Sequence, residues 1–374
     1  MIKNKKSSKF ILISALVFAF TFSVSAQTVT PTPPPAADDG EIIKVESRLV
    51  VVPVSVTDSS GQPVLGLTTK DFRVLEENKN QQIENVSDAE KVPLEIALLF
   101  DISATTSPMF QFQQETAAQF LKDVMRSDDR ATIYTVGAKP LMIQGRDTAE
   151  KAAVAIKSIL PTKQYTAFYD SVAEAADYLQ KNAPSGRRKV IVVISDGEDT
   201  NSVRIAKAIQ DGYTKLGKSV NTIDSKALYQ YTVTSRNEAN IREQSRVLKT
   251  VQNADTVFYS INPAGSSYQL NKISLFGQSN MQRFADDTGG TAFLPKFQPI
   301  DLKDTMQNSV NTRKNQEVLT KIFRQLANEL RAQYLVQYYS EDEFQNGRYV
   351  KLNVGLQNPA SYKVRARQGY FVKN

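Results

Sequence analysis

Two aspartates of the sequence come directly after apolar segments. Asp101 ends the run that starts at Leu94, and Asp196 follows the segment from Lys189 to Ser195. Apolar runs without alternating polar residues are typical of strands buried on both faces of a parallel sheet, and ligands bind beyond the carboxyl ends of such strands. A carboxylate in that position must be hydrated, paired or bound to a metal, because an isolated buried charge is unstable. The two aspartates are therefore the first candidates for a binding site.

Hydroxyl side chains accompany the two aspartates. Ser103 and Thr105 follow Asp101 at alternate positions, and Thr166 stands just before a predicted helix. Carboxylate and hydroxyl oxygens are ligands of hard cations, so this set favours Mg²⁺, with Mn²⁺ or Ca²⁺ as alternatives. Simpler roles also exist. Thr166 could cap the helix, and Ser103 and Thr105 could hydrogen-bond within a turn.

The composition excludes several kinds of site. The 374 residues include no His and no Cys, which removes disulfides, thiolate and imidazole metal sites, Cys nucleophiles and Ser–His triads. Any metal must therefore be held by oxygen. The hydrophobic share of 41% and the charged share of 23% are those of an ordinary globular chain, and its length allows two or three domains.

The N-terminal residues 1–26 have the features of a secretory signal peptide. Four lysines precede the apolar residues 10–22, and small residues at 24–26 offer a cleavage site. The apolar stretch is shorter than the ~18 residues of a spanning helix, although an uncleaved anchor stays the alternative. We expect export to the periplasm, the cell surface or the medium, with no membrane span after cleavage.

Without this segment 42 basic and 39 acidic residues remain, so the charge gives little support to nucleic-acid binding and we expect none.

The rest of the chain divides by its pattern. Residues 27–41 are a Pro-rich linker, a composition that favours extended conformation. Residues 42–92 and 334–374 contain short strand-like segments, whereas residues 93–333 alternate strands with amphipathic helices. That alternation predicts an α/β domain with a doubly wound, mostly parallel, Rossmann-like sheet. We expect the two β flanks to meet in space as a small β-domain, because each alone would leave strand edges unpaired.

Within these segments the pattern predicts individual elements. Helices are expected near 110–125, 149–160, 167–181 and 313–330, and strands near 131–136, 256–261 and 292–294. The C-terminal flank is expected to hold three strands, at 334–339, 348–355 and 362–371, and residues 78–80 to form a hairpin tip.

Residues 201–253 are polar and basic, with nine Lys and Arg against four Asp and Glu. Helices are expected near 202–216 and 236–252. One interpretation of this basic insert is a solvated helical excursion from the α/β domain. The other is that it borders the aspartates and attracts an acidic partner. Just before it, Glu198 and Asp199 are interpreted as solvated loop acids rather than ligands.

The chemistry-bearing residues together resemble the von Willebrand factor type A domain with a metal-ion-dependent adhesion site. That family places Asp-x-Ser-x-Ser after a first strand, a Thr before a later helix and an Asp after a further strand. Asp101, Ser103 and Thr105 match the first part, Thr166 the second and Asp196 the third. The resemblance implies that the three hydroxyls bind a divalent cation directly and the two aspartates through water. It also implies that an acidic side chain of a protein ligand completes the shell.

The resemblance covers roughly residues 93–300, and the flanks extend it. The segment from Val56 to Glu76 and the pair Gly369-Tyr370 are similar to a subgroup of these proteins common in acidobacteria. The sequence departs from the family at Thr105, which keeps the hydroxyl of the usual second Ser but adds a methyl group. Thr106-Ser107-Pro108 also replaces the small glycines that often follow.

Three functions fit this pattern. The resemblance implies an exported binding or adhesion module that recognises a protein ligand through a divalent cation. Thr105 motivates the alternative, a metal-free scaffold of the same fold that mediates protein assembly in the cell envelope. A phosphotransferase resembling the haloacid dehalogenases would need a second Asp two residues after Asp101, where Ser103 stands. We therefore expect no enzymatic activity.

Overall fold

Strands at both ends of the chain enclose a central series of strands and helices. The computed structural model describes residues 48–103, 109–162, 165–217, 222–263, 272–299, 304–358 and 362–373. The strands are β1 (Arg48–Thr57), β2 (Phe72–Glu76), β3 (Lys79–Gln81), β4 (Ile83–Asp88), β5 (Leu94–Asp101), β6 (Arg130–Val136), β7 (Pro140–Asp147), β8 (Arg188–Ile194), β9 (Thr256–Ile261), β10 (Ala292–Phe293), β11 (Tyr334–Ser340), β12 (Tyr349–Leu356), β13 (Lys363–Ala366) and β14 (Gly369–Phe371). The helices are α1 (Phe110–Val124), α2 (Ala149–Lys157), α3 (Phe168–Asn182), α4 (Val203–Leu216), α5 (Ser225–Asn253), α6 (Lys272–Thr288) and α7 (Thr305–Arg331). The signal peptide and linker predicted at 1–41 lie outside the described residues, and so does Thr105.

The apolar runs become the centre of a six-stranded sheet with the order β10-β9-β8-β5-β6-β7. β5 is buried along its whole length and pairs in parallel with β8 and β6. β9 and β10 continue the parallel pairing on one side, whereas β7 lies antiparallel at the other edge. The mostly parallel sheet predicted for this segment is confirmed. Because parallel strands end at one edge, Asp101 and Asp196 lie at the same carboxyl edge.

Helices cover both faces of this sheet, as a doubly wound fold requires. α1, α2 and α7 pack on one face, where Phe120 and Phe323 are among the buried residues. α3, α5 and α6 pack on the other face, which buries Phe168 and Phe284. Burying each large apolar side chain stabilises the fold by about 1.5–3 kcal/mol. The two cores therefore fix the strands whose ends carry the aspartates.

The two β flanks meet in space, as predicted, and form two four-stranded sheets, here called the β-lobe. One sheet has the order β13-β1-β11-β4 and the other β14-β12-β2-β3. Each sheet therefore combines strands from before the α/β domain with strands from after it. The two sheets share a core that includes Val52, Phe72 and Tyr338.

The β-lobe differs from the sequence prediction in three details. Residues 362–371 do not form one strand, because β13 ends at Ala366 and β14 lies in the other sheet. The hairpin tip falls at Glu77 and Asn78, with φ angles of 45° and 66°, rather than at residues 78–80. β4, which completes the first sheet, has no counterpart in the prediction.

A buried glutamate links the two sheets of the β-lobe. Glu76 is fully buried at the end of β2. Tyr338 and Tyr370 both donate to its Oε1 at 2.7 Å, and Ser340 donates to its Oε2 at 2.7 Å. Tyr338 and Ser340 belong to β11 in one sheet, whereas Glu76 and Tyr370 belong to the other. The carboxylate therefore holds the sheets together.

The predicted basic insert contains two antiparallel helices of unequal burial, α4 and α5. The Tyr213 and Thr232 hydroxyls are 3.3 Å apart, which joins α4 to the first half of α5. In the second half of α5, Ala239, Val247 and Val251 are buried against the sheet. The interpretation of the whole segment as a solvated excursion is therefore wrong for residues 239–253, which belong to the α/β core.

Candidate metal site at the carboxyl edge

Asp101 is held at the end of β5 by hydroxyl groups. Its Oδ1 accepts hydrogen bonds from the Ser103 backbone N–H at 2.8 Å and from Ser103 Oγ at 2.6 Å. Its Oδ2 accepts a bond from Ser195 Oγ at 2.5 Å. Burial nevertheless raises the pKa of the Asp101 carboxyl above its usual range, against the opposing effect of these bonds. Ser195, which the sequence analysis passed over as the end of a strand, is therefore part of the site.

Asp196 lies one residue beyond β8, directly after the Ser195 that contacts Asp101. Its Oδ1 accepts a hydrogen bond from the backbone N–H of Glu198 at 3.0 Å. Burial, followed by the negative charge of Asp101, raises the pKa of Asp196 to about 7. The charge of one carboxylate therefore acts on the other, and the structure brings these two predicted residues together.

Thr166 is buried in the loop before α3, and hydrogen bonds tie this loop to neighbouring loops. Its backbone N–H donates to Thr200 Oγ1 at 2.9 Å, and its carbonyl accepts from the Thr200 N–H at 2.9 Å. The next residue, Ala167, donates to the carbonyl of Gly137 after β6 at 2.7 Å. Thr166 is thus fixed, through Thr200, to the loop that carries Asp196, and among the described residues it forms no hydrogen bond with either aspartate.

The arrangement of Asp101, Ser103 and Asp196 fits a hard divalent cation. Among the described residues, no Lys or Arg forms an ion pair with either aspartate, so two interacting carboxylates lie in a partly dry site without a countercharge. The described part of the chain also contains no group of three or more carboxylates that could hold a metal alone. Two carboxylates with added hydroxyls suit Mg²⁺, which retains water and needs few protein charges.

The interpretation of Asp199 as a solvated loop acid is wrong. It is buried, and its Oδ2 accepts hydrogen bonds from the Tyr169 N–H in the first turn of α3 and from Ser202 Oγ, at 2.9 and 2.5 Å. Burial raises the pKa of Asp199 to about 6 despite these bonds. A carboxylate beside the unsatisfied N–H groups of a helix start stabilises that helix. Asp199 therefore fixes α3 and the loop after β8 to each other. In the sequence, the only indication of this role is Ser202, which follows Asp199 by three residues.

Two glycines bring the Asp196 loop against α6. Gly197 has a φ of 77°, which favours glycine, and a Cβ there would lie 2.5 Å from the carbonyl oxygen of Gly277. A Cβ on Gly277 would lie 2.6 Å from the Gly197 carbonyl carbon and 2.7 Å from the Asp196 carbonyl oxygen. Backbone therefore packs on backbone directly beside Asp196, a contact that sequence analysis did not find because α6 was not predicted.

α4 and residues 222–238, here called the prong, extend beyond the carboxyl edge. α5 has 29 residues, which span about 43 Å, whereas the six residues of β9 span about 20 Å. α5 ends just before β9 begins at the amino edge, and the Asn240 carbonyl accepts from Tyr169 Oη, at the start of α3. The part of α5 before Asn240 therefore projects past the edge that holds the aspartates. The prong exposes Tyr213 and Tyr229.

Cation affinity is expected to fall as the pH decreases through about 7. The raised pKa of Asp196 means that its carboxyl is neutral below that pH in the metal-free protein, and a cation binds the charged form. The affinity should therefore reach its maximum above pH 8. Well below pH 7 it should decrease by up to about tenfold per pH unit, because one proton competes with the cation. Mn²⁺ titrations between pH 8 and 5.5 measure this; a constant affinity over that range would contradict it, because exposed carboxylates titrate near pH 4.

Comparison with known proteins shows which family the central segment resembles. Residues 96–198 match the family model of the von Willebrand factor type A domain. The match begins within β5 and includes all five positions predicted from the resemblance. No protein with a curated description matches the chain.

The solved structures that align with parts of this chain include three proteins of low sequence identity. An aerotolerance-related membrane protein from Bacteroides fragilis is 16% identical over 60% of this chain and 98% of its own, with a TM-score of 0.33. BatB from Bacteroides thetaiotaomicron is 13% identical over 62% and 99%, with a TM-score of 0.33. Proximal thread matrix protein 1 from the mussel byssus, with a zinc-occupied MIDAS motif, is 13% identical over 69% and 50%, with a TM-score of 0.40. These TM-scores are too low to bear on function, and the family match alone shows what the central segment resembles: residues 96–198 of this chain are similar to the von Willebrand factor type A domain.

Proposed function

We propose that this protein is an exported binding or adhesion module that captures a protein ligand through a divalent cation. Asp101, Ser103, Thr105, Thr166 and Asp196 would hold the ion, with Mg²⁺ favoured and Mn²⁺ or Ca²⁺ as alternatives. The observation that carries the proposal is the pair of interacting aspartates at the carboxyl edge, which have hydroxyl neighbours and no countercharge among the described residues.

The bound cation supplies a positive charge that attracts a carboxylate of the ligand. The residues of the chain have other tasks. Ser103 and Ser195 orient the Asp101 carboxylate, and Asp199 fixes the loop after β8 to the start of α3. The position of a second acid in a phosphotransferase is taken by Ser103, whose hydroxyl donates to Asp101. We therefore propose recognition without a reaction.

The prong supports an acidic protein as the partner. It stands beside the carboxyl edge, and it carries an excess of two positive charges, five basic against three acidic residues. The Lys215 and Lys226 side chains form no ion pair among the described residues, so their charges are available to a partner. The prong also exposes Tyr213 and Tyr229, and tyrosine is enriched in protein interfaces.

One observation favours the alternative, a metal-free scaffold in the cell envelope. Both oxygens of Asp101 already accept hydrogen bonds from the protein, so the loops can be held together without an ion. Thr105, whose methyl group departs from the family pattern, adds to this alternative.

We propose export because residues 1–26 have the features of a signal peptide. We propose membership of the acidobacterial subgroup because the flanking segments are similar to it. None of the helices in the described ranges has the length and apolarity that crossing a membrane requires.

Binding to immobilised poly-L-glutamate, a simple acidic partner, tests recognition. We expect a Mg²⁺-dependent component that is lost with chelator or with Asp196→Asn and retained by Asp211→Asn, which removes an exposed carboxylate of the prong. The double change Lys215→Glu and Lys226→Glu should weaken the chelator-insensitive remainder. Binding that is equal in Mg²⁺ and chelator, for both aspartate variants, would favour the metal-free scaffold.

A further inference from the structure

A cavity of about 350 Å³ lies at the amino edge of the central sheet, between this edge and the β-lobe. Val51 and Pro53 of β1 and Leu335 of β11 form an apolar wall, and Val190 and Val257 at the starts of β8 and β9 face it. The volume is at the lower end of the ~300–1,000 Å³ typical of small-molecule sites. The cavity is at the opposite end of the strands from the aspartates, so it is separate from the proposed metal site.

Four cationic side chains line this cavity, and two of them have carboxylate partners. Arg187 pairs with Glu95 at 2.5 Å, and Arg367 pairs with Asp255 at 2.6 Å. The remaining lining carboxylate, Asp287, pairs with Arg283 at 3.6 Å, outside the lining. The acids around the cavity are therefore already neutralised by these arginines.

The other two cations, Arg188 and Lys189, have no ion pair among the described residues. Arg188 is 8% exposed, and its guanidinium donates to the carbonyl oxygens of Ala89 and Leu330 and to Gln333 Oε1. These acceptors are neutral, so they satisfy its hydrogen bonds without balancing its charge. Burial lowers the pKa of Arg188 to about 10, which leaves it charged at neutral pH.

Another cation increases this excess of positive charge. Burial, together with the charges of Lys189 and Arg367, lowers the pKa of Lys373 against the opposing effect of Asp255. Lys373 is therefore close to the same group of charges. An excess of positive charge beside an apolar wall is stabilised by an anion with an apolar body, because the anion balances the charge and the body removes apolar surface from water.

We propose that this cavity binds a small organic anion. The anionic group, a carboxylate, lies beside Lys189, which has no ion pair among the described residues, and a compact apolar body lies against Val51, Pro53 and Leu335. Such a ligand contacts the β-lobe and the α/β domain together. It binds independently of the cation at the carboxyl edge.

Calorimetric titration of the full chain with 2-naphthoate tests the proposal, with 2-naphthalenemethanol as the uncharged compound of similar shape. We expect saturable binding of one naphthoate and at least tenfold weaker binding of the alcohol. Lys189→Met should weaken naphthoate binding about tenfold, and Val51→Phe, which fills the cavity, should abolish it. Lys70→Met removes the same charge from an exposed position outside the lining and should leave the affinity unchanged.

Three results would overturn the proposal. They are the absence of saturable naphthoate binding to the folded wild-type chain, equal affinities for naphthoate and the alcohol, and equal affinities for Lys189→Met and Lys70→Met. Thermal unfolding of each variant shows whether it is folded. If Val51→Phe does not fold, the affinity of Lys189→Met decides the outcome. Naphthoate binding should persist in the presence of chelator and in Asp196→Asn. The result can therefore be interpreted even if the proposed metal site binds no cation.

Discussion

Replacing Gly277 with alanine is expected to destabilise the fold by about 1–3 kcal/mol and to weaken cation binding at least tenfold. Two effects oppose each other. Alanine is favoured over glycine inside a helix by about 1 kcal/mol, which alone would stabilise α6. The new Cβ, however, would lie 2.6–2.8 Å from three backbone atoms of the loop from Asp196 to Glu198. Backbone cannot rotate away as a side chain can, so we expect the steric effect to dominate.

Gly212→Ala is the matched control. Gly212 is also inside a helix, α4, but the nearest atom to its Cβ would be the Ser235 hydroxyl oxygen at 3.1 Å, which can rotate. Here we expect a change between zero and about 1 kcal/mol of stabilisation, with unchanged cation affinity. Urea unfolding and Mn²⁺ titration of both variants measure these effects. If Gly277→Ala were as stable as Gly212→Ala and bound Mn²⁺ normally, the Gly197–Gly277 contact would not position Asp196.

Glu76→Ala is expected to destabilise the protein by about 3–5 kcal/mol through lost hydrogen bonds and a new cavity. The substitution leaves three buried hydroxyls, those of Tyr338, Tyr370 and Ser340, without their acceptor. Each unsatisfied buried group costs about 1–3 kcal/mol, and the lost side-chain volume adds a cavity. Glu76→Gln should cost less, because its amide oxygen can still accept from the tyrosines.

The exposed Glu84→Ala in β4 is the control and should change the free energy of unfolding by less than about 0.5 kcal/mol. Urea unfolding followed by tyrosine fluorescence and by circular dichroism measures both variants. A Glu76→Ala chain that unfolds at the same urea concentration as Glu84→Ala would contradict the role of this carboxylate between the two sheets.

The sequence predicts those parts of the fold that depend on local pattern. β5 and β8 are continuous apolar runs, so their burial and the position of Asp101 and Asp196 could be predicted. The meeting of the β flanks followed from their unpaired edges. The break between β13 and β14 could not be predicted, because residues 362–371 carry a strand-like pattern throughout and tertiary packing determines the division.

The parts of the site that were missed depend on distant residues. Asp199 looks like one acid of an exposed loop, and its burial follows from the N–H groups of α3 and from Ser202 that surround it. Gly277 lies in a polar helix with weak periodicity, and its contact with Gly197 spans 80 positions of the sequence. The inward half of α5 was mistaken for part of an excursion because basic residues on its outer face dominate the composition.

Calorimetric titration with Mg²⁺ and Mn²⁺ tests the central claim most directly, in the wild-type chain, Asp196→Asn and Asp211→Asn. Asp196→Asn removes one charge from the carboxyl edge, and Asp211→Asn removes one from the exposed prong, so the variants differ in position rather than in net charge. We predict saturable binding of one cation to the wild type and to Asp211→Asn, and none to Asp196→Asn. A folded wild-type chain that binds neither cation, or an Asp196→Asn variant that binds as tightly as Asp211→Asn, would contradict the cation site.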